Sequence, residues 1–360
     1  MSIDILITGT GMFAGRIVLD IAATAKEPVT VMVAGRNVDR LDWLRTAGNA
    51  RARMFGTPAQ IVTQQIDLIN PGASAHILEV ASPKIVVQAA SVQTSAVIAQ
   101  TGNRWTSLVA EGGLSATAIF QALLTSRMAA AISTQAPDIK LINCSFPDVV
   151  NGMITAMGHS VLCGTGNVAI LSNVFDSFCT NEHEPIRVLA HYQNLAPWRR
   201  PVEQRSGARP PRVFLGKEEV SDVFTKFNSA RLTPEPAIEI SGASGVTLIL
   251  ALAAGRDWHG HAPGPNGLPG GYPVRLESGI FDLDLPVSVS KEEAVAWNAS
   301  FESNKGLTVC GNMAHFNGRL AQLLSDVKFS AASGFDVRDI EEVHNDFARL
   351  RDQLMATAIS

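Results

Sequence analysis

Along the first 165 or so residues, short β-branched runs alternate with longer segments in which apolar residues recur every three or four positions. The first pattern predicts buried strands and the second predicts amphipathic helices. Ile3–Thr8 reads as a strand, followed by a glycine-rich turn and a helix through about Ala23. Val29–Ala34 is a second strand and Arg40–Ala47 begins a helix. Ile61–Asp67, Ile85–Ala89 and Lys140–Cys144 are the third, fourth and fifth strands. Between the last two lies an alanine-rich helix, Leu114–Ser133, ended by Thr134, Gln135 and Pro137. Strands alternating with helices predict an α/β unit with a doubly wound parallel sheet.

The pattern changes after about Asn167. Ile186–Gln193, Val246–Ala253 and Ile280–Leu285 read as strands of a second, mainly antiparallel sheet, with a Gly/Pro loop at Gly260–Pro273 dividing two of them. Pro and Arg concentrate between Pro197 and Arg212, an exposed excursion. In the tail, Ile340, Val343, Phe347, Leu350 and Leu354 share one face of a helix over Asp339–Ala356, which must pack on something. The expected organisation is a nucleotide-binding unit over 1–165, an α+β substrate-binding and dimerising unit over 166–325, and a helical segment over 326–360 returning to the first unit.

Composition narrows the class. With 360 residues, 46% hydrophobic and 17% charged, the chain can bury a large core, which excludes intrinsic disorder. Twenty-nine basic against 33 acidic residues give a net charge of −4, so nothing pulls the chain toward nucleic acid. The cysteines Cys144, Cys163, Cys179 and Cys310 lie far apart without a CxxC pair, as unpaired thiols of a reducing compartment do. There is no basic leader, and the longest strongly apolar stretch, Val246–Ala254, is about half of the ~20 residues a membrane span needs. A soluble, cytoplasmic protein is expected, with no membrane partner, and a homodimer on base rates.

The turn Gly9-Thr10-Gly11-Met12-Phe13-Ala14 fits GxGxx(G/A) between a strand and an apolar helix. Gly9 permits the tight turn, Gly11 lets backbone approach a pyrophosphate, and Ala14 lets the helix pack on the strand. Free N–H groups and the helix dipole favour the phosphates, so a dinucleotide site of the Rossmann type is expected. An NAD site commonly places a carboxylate at the end of the second strand; here Arg36 and Asn37 stand there. A guanidinium suits a 2′-phosphate, so NADP(H) is expected over NAD(H).

Gly9–Arg16, the Ala34-Gly35-Arg36-Asn37 strand end, Asp67 and Val86-Val87-Gln88-Ala89-Ala90-Ser91 resemble the NADP-binding domain of saccharopine dehydrogenase-like reductases over about the first 100 residues. The resemblance implies a nicotinamide cofactor and a fused substrate domain. A second stretch, Lys140–Val150 followed by Val161-Leu-Cys-Gly-Thr-Gly166-Asn, is similar to the matching region of lactate and malate dehydrogenases. Phe146 precedes Pro147 where that family has Asn. Val168-Ala169-Ile170-Leu171 stand where it carries an Asp and an Arg. The similarity thus concerns position at the cofactor's reactive end, not its hydroxyacid chemistry.

Ligands of such sheets bind at the carboxyl ends of the strands. That selects Ala90, Ser91 and Gln93 after the fourth strand and Cys144, Ser145 and Asp148 after the fifth, although Asp148 or Ser145 can equally cap the next helix. Hydride transfer to C=O or C=N needs a proton donor, and His259, His261 and Tyr272 in the Gly/Pro loop are candidates beside Asp148. No third ligand accompanies the two histidines, so no metal is expected. His191, Tyr192 and Gln193 end a predicted strand, lining a cleft or a packed face alike. Arg199, Arg200, Arg205, Arg209 and Arg212, five cations in fourteen residues, either steer an anionic substrate or are solvated loop charge. The reading is an NADP-dependent oxidoreductase of a small polar, carboxylate-bearing or other, metabolite. Its competitors are an epimerase, dehydratase or cyclase that keeps NAD(P) bound, and an NADPH-sensing regulatory protein.

Overall fold

In the computed structural model the apolar runs of the N-terminal half form one parallel sheet; the structure describes residues 2–93, 102–179, 185–232 and 238–357. Its strands are β1 (Ile5–Thr8), β2 (Val29–Gly35), β3 (Ala59–Gln65), β4 (Ile85–Gln88), β5 (Lys140–Asn143) and β6 (Cys163–Gly164). They lie in the order β3-β2-β1-β4-β5-β6, every pairing parallel. Strand order reverses between β1 and β4, which opens a crevice at their carboxyl ends. The third strand starts and ends two residues before its predicted limits, so Asp67 lies beyond it.

The sheet is covered on both faces, which is why β1, β2 and β4 read as continuous apolar runs, while β3 at the edge carries polar residues and is only partly buried. Ile5, Ile7, Val31 and Val33 face α1 (Met12–Thr24) and α2 (Val38–Phe55). Leu6 and Val86 face the other way, toward α3 (Ala73–Ala81), α4 (Arg104–Gly112) and α5 (Ala118–Gln135). The helix predicted over Leu114–Ser133 is a 3₁₀ turn, Leu114–Thr117, leading into α5. Two short helices, α6 (Val149–Ala156) and α7 (Val168–Asp176), follow β5 and β6.

The second half is antiparallel, as expected, but in three small sheets. They are β7 (Ile186–Leu189)-β8 (Arg212–Leu215)-β9 (Glu218–Glu219), β10 (Trp258–Pro263)-β11 (Gly271–Glu277)-β12 (Ile280–Leu283) and β13 (Lys305–Cys310)-β14 (Met313–Asn317)-β15 (Phe335–Asp336). Two expectations are corrected. Val246–Ala253, predicted as a strand, lies in a helix; it is apolar all round, so periodicity does not distinguish the two states. Its Leu/Ala content suits a helix, and Gly255, left-handed at φ +63°, closes it. The Gly260–Pro273 loop is largely the β10–β11 hairpin, pairing His259 with Arg275 and His261 with Pro273.

The remaining helices are α8 (Val223–Lys226), α9 (Ile238–Ser244), α10 (Val246–Ala254), α11 (Lys291–Asn304), α12 (Gly318–Asp326) and α13 (Ile340–Met355). All five apolar positions of the predicted tail stripe are buried, and α13 packs on α4 and α5. Phe347 is its anchor, with its ring 5.5 Å from Trp105, 5.3 Å from Phe120 and 5.0 Å from Phe329. Truncating a buried aromatic costs about 3–5 kcal/mol. Phe347→Ala should therefore lower the unfolding midpoint in thermal or denaturant melts by a corresponding amount; a change under about 1 kcal/mol would show that α13 is not part of this core.

Candidate active site

The crevice is fixed by side chains at its two lips. Thr8 Oγ1 donates to Gln88 Oε1 at 2.9 Å, and Gln88 Nε2 donates to the Ala90 carbonyl at 2.9 Å. Gly9, at φ +95°, passes so close to β4 that a Cβ would sit 3.0 Å from the Ala90 nitrogen. Any other residue would push the strands apart. Gly11 opens α1 with no side-chain cap, and a Cβ there would meet nothing within 4 Å. The loop therefore presents uncapped backbone N–H groups at a helix N-terminus to open space, which fits a dinucleotide diphosphate.

Arg36 is 71% exposed at the end of β2, with Nη1 4.0 Å from Asp67 Oδ2. Asp67 also accepts the Ile69 N–H through Oδ1 at 3.1 Å. Asn37 caps α2 by accepting the Arg40 N–H at 2.9 Å, so its side chain serves the helix. Arg40 Nε donates to the Thr10 carbonyl at 3.3 Å, a second cation at the loop that no motif signals.

The turn after β5 lies beside that crevice, because the Cys144 N–H donates to the Gln88 carbonyl at 2.8 Å. Asn143 shapes it: Oδ1 accepts the Ser145 N–H at 3.0 Å, and Nδ2 donates to Asn151 at 2.8 Å. Asn151 in turn donates to the Gly264 carbonyl at 3.0 Å, tying the turn to the β10–β11 hairpin. This places Asp148, 5% exposed, at the N-terminal boundary of α6. Asp148 caps nothing. Oδ1 accepts from Asn167 Nδ2 and Oδ2 has no partner among the described residues. Burial pushes its pKa up to about 6, against the opposing influence of His191 and the Asn167 bond. Asn167 is held at φ +46°, unusual for a residue other than glycine.

Just past β7, His191 is buried. Its Nδ1 accepts the Gln193 N–H at 3.3 Å, which assigns the ring proton to Nε2. Nε2 lies 2.9 Å from Glu302 Oε1, an ion-pair distance with the oxygen off the N–H axis and not a straight hydrogen bond. Glu302, near the end of α11, accepts from Ser115 Oγ and from the Leu307 N–H, both at 2.9 Å through Oε2. Gly306 makes room for it; a Cβ there would come within 1.8 Å of Oε2. Ser115 Oγ is 3.1 Å from the Tyr192 hydroxyl, whose pKa burial and the Glu302 charge push up. One carboxyl thus abuts the imidazole and a second feels its influence in a desolvated setting, with Asp148 Oδ2 lacking a partner among the described residues. Ser145 Oγ and both amide atoms of Gln93 are also buried without partners among the described residues. An arrangement of this kind can take up and release a proton.

The anticipated residues are spread over several places. Ala90, Ser91, Cys144 and Asp148 lie at the strand ends; the Ser91 hydroxyl donates to the Gln93 carbonyl at 2.8 Å. The Cys144 thiol faces Thr165 Oγ1 at 3.4 Å, and burial pushes it up to about 12, so it stays a neutral thiol. His261 accepts the Val188 N–H through Nε2 at 2.9 Å, joining the β7 and β10 sheets. Burial pushes its pKa down to about 3, which leaves it neutral. His259 is exposed, 3.4 Å from Glu277. Tyr272 is buried and donates to the Pro269 carbonyl at 2.7 Å; burial and the Asp148 charge push its pKa up. Sequence reasoning left His191 without a role and missed Glu302 and Ser115. The cluster His191-Tyr192-Gln193 at a strand end was the available signal for the first; nothing marks one Glu among several in the polar helix α11.

No protein-family model matches this chain, and no curated protein does. Solved structures are similar. They include lactate dehydrogenase from Cryptosporidium parvum complexed with lactic acid and nicotinamide adenine dinucleotide, at TM-score 0.51 and 14% identity over 98% of each chain. Malate dehydrogenase from Picrophilus torridus in its apo form gives 0.54 at 10% identity, over 97% of this chain and 99% of that one. Malate dehydrogenase from Archaeoglobus fulgidus in complex with NADH gives 0.52 at 12%, over 83% and 97%. At such identities the likeness is one of fold. This chain has the α/β Rossmann-type fold of those dehydrogenases.

Proposed function

We propose that this chain is an NAD(P)(H)-dependent oxidoreductase acting at a C=O or C=N bond of a small polar metabolite, with NADP(H) the preferred cofactor. The observation that carries the reading is the buried, uncommitted Oδ2 of Asp148 beside the crevice at the end of β4. The Gly9–Ala14 turn would hold the diphosphate, Arg36 and Arg40 the 2′-phosphate, and Ala90 and Ser91 would flank the nicotinamide, which supplies or accepts hydride when bound. Asp148 exchanges the proton: ionised, it takes one from the substrate hydroxyl or amine during oxidation; protonated, it returns one during reduction. Asn167 holds Oδ1, so the exchange falls to Oδ2. The Asn167 bond and the nearby His191 ring oppose the rise of the Asp148 pKa. Carboxylate-bearing substrates are the first class to try, since lactic acid is bound by one of the fold neighbours. The N-terminal resemblance to saccharopine dehydrogenase-like reductases supports NADP(H), and a homodimer is the expected assembly.

Three outcomes test this. Fluorescence titration of nucleotide-free protein should show tighter binding of NADPH than of NADH, with Arg36→Asp reversing the order; binding of neither nucleotide would remove the proposal. With a substrate in hand, Asp148→Asn should lower turnover by about 10²–10⁴ while leaving cofactor affinity in place. The wild-type oxidation rate should rise as pH passes through about 6, and reduction should fall. Asp148→Asn should abolish that titration; an unchanged profile would move the role elsewhere. Stability carries the third signature. A carboxyl whose folded pKa is raised binds more protons in the native state, so stability falls as pH rises from about 4 through about 6. The loss is on the order of 3 kcal/mol and should vanish from denaturant melts of Asp148→Asn.

A further inference from the structure

The arginine-rich excursion divides into committed and uncommitted cations. Arg205 is buried, with its guanidinium over the Trp198 ring at 4.6 Å and Nη2 on the Ala230 carbonyl at 2.7 Å. Arg212 is bound by Glu219 and Glu293 at 2.6–2.7 Å, which takes those two carboxylates as well. Arg200 and Arg209 differ. Neither meets a carboxylate among the described residues, and both line a surface cleft of about 360 Å³ together with Gln193, Pro197, Ser300 and Phe301.

The Arg209 guanidinium is spread on aromatic rings, 4.2 Å from the Phe301 centroid and 4.7 Å from that of Trp297. Nη1 donates to Ser300 Oγ at 2.7 Å. Stacked in this way, a guanidinium is held in place and partly stripped of water while its edge stays available for an oxyanion. Burial pushes its pKa down with no counter-charge to restore it. Arg200 adds a second positive charge at the same cleft. Two cations without counter-ions among the described residues, one immobilised on rings, make a preorganised anion seat.

None of Asp148, Glu302, Tyr192 or Ser115 lines this cleft. Its wall reaches them indirectly. The Phe301 ring stacks on His191 at 5.0 Å and 12°, and the Gln193 backbone N–H donates to His191 Nδ1. We propose that the Arg200–Arg209 cleft is a second binding site, separate from the proton-exchanging cluster, for a small multiply charged anion bearing carboxylate or phosphate groups, and that its occupancy is felt at His191 through Phe301. The proposal does not depend on nucleotide binding at the glycine turn.

Citrate and pyrophosphate, as carboxylate and phosphate probes, should each be titrated by calorimetry into the full-length protein and into Arg200→Glu and Arg209→Gln. Saturable binding of either probe, weakened about tenfold or more in Arg200→Glu, is the expected result. The probe that binds more tightly identifies the chemistry. Arg200 is exposed, so its variant should fold, and circular dichroism checks this. Pyrophosphate bound at the glycine turn would be unaffected by Arg200→Glu, so equal affinity in wild type and variant overturns the proposal. So does the absence of saturation by both probes. Coupling is read from the His191 ring resonance, which should shift with the bound probe in wild type and stay fixed in Arg200→Glu; a resonance that ignores the bound probe removes the link to His191.

Discussion

Two carboxyls and one imidazole buried together set the terms for much of this molecule. A buried carboxylate costs several kcal/mol unless charge or hydrogen bonds compensate it. Glu302 has such compensation in the His191 ring, the Ser115 hydroxyl and the Leu307 N–H. Asp148 has only Asn167 on one oxygen and the more distant influence of His191, and its raised pKa reflects the shortfall. The compensating groups come from the turn before α5, the start of α7, the segment after β7 and β13. Those four places must converge for the cluster to exist, so the cluster constrains how the second half of the chain folds against the sheet.

The convergence has a mechanical counterpart at the β5 turn. Asn143, buried, holds Ser145 through its carbonyl oxygen and Asn151 through its amide, and Asn151 reaches the Gly264 carbonyl in the hairpin. A chain of neutral amides therefore positions the turn that carries Asp148, without adding charge to an already crowded site. Satisfied amide networks of this kind rigidify a core at little electrostatic cost. The same economy appears at Thr8 and Gln88, where a hydroxyl–amide pair fixes the crevice that Gly9 keeps narrow.

The sequence made the centre of the sheet legible because β1, β2 and β4 are buried on both faces and α1 is amphipathic, so period and composition agreed. It misled at Val246–Ala253, where an apolar run without polar positions carries no period to read. At Gly260–Pro273 the same difficulty took another form: glycine and proline signal turns, yet their alternation with Trp258, His259, His261 and Tyr272 also suits paired strands. The glycine turn after β1 was legible from spacing alone. The buried polar cluster was not, because Asp148, His191, Ser115 and Glu302 are brought together by tertiary contacts across up to 187 positions of sequence. Of these, Asp148 and His191 stood at predicted strand ends, where position itself suggests chemistry; Ser115 and Glu302 did not. His259 and His261 attracted attention as histidines in a glycine-rich stretch, but one faces solvent and the other accepts a backbone hydrogen bond.

Why the carboxyl at His191 comes from α11 follows from how α7 packs. Its first turn, Val168-Ala169-Ile170-Leu171, is buried. Val168, Ile170 and Leu171 belong to a core with Phe175, Val188 and Trp198, and Phe175 stacks on Phe227 at 4.4 Å. A charged group on that face would enter an apolar core without a partner. With α7 committed to packing, a carboxyl that pairs with His191 has to arrive from another element, and α11 delivers one where Gly306 leaves space for it. The same helix turn presents Phe301 to the other side of the imidazole environment, and there Arg209 rests. Glu302 and Phe301, adjacent on α11, therefore bring His191 into contact with the ring on which Arg209 rests, which links the surface cations to the buried site through one helix.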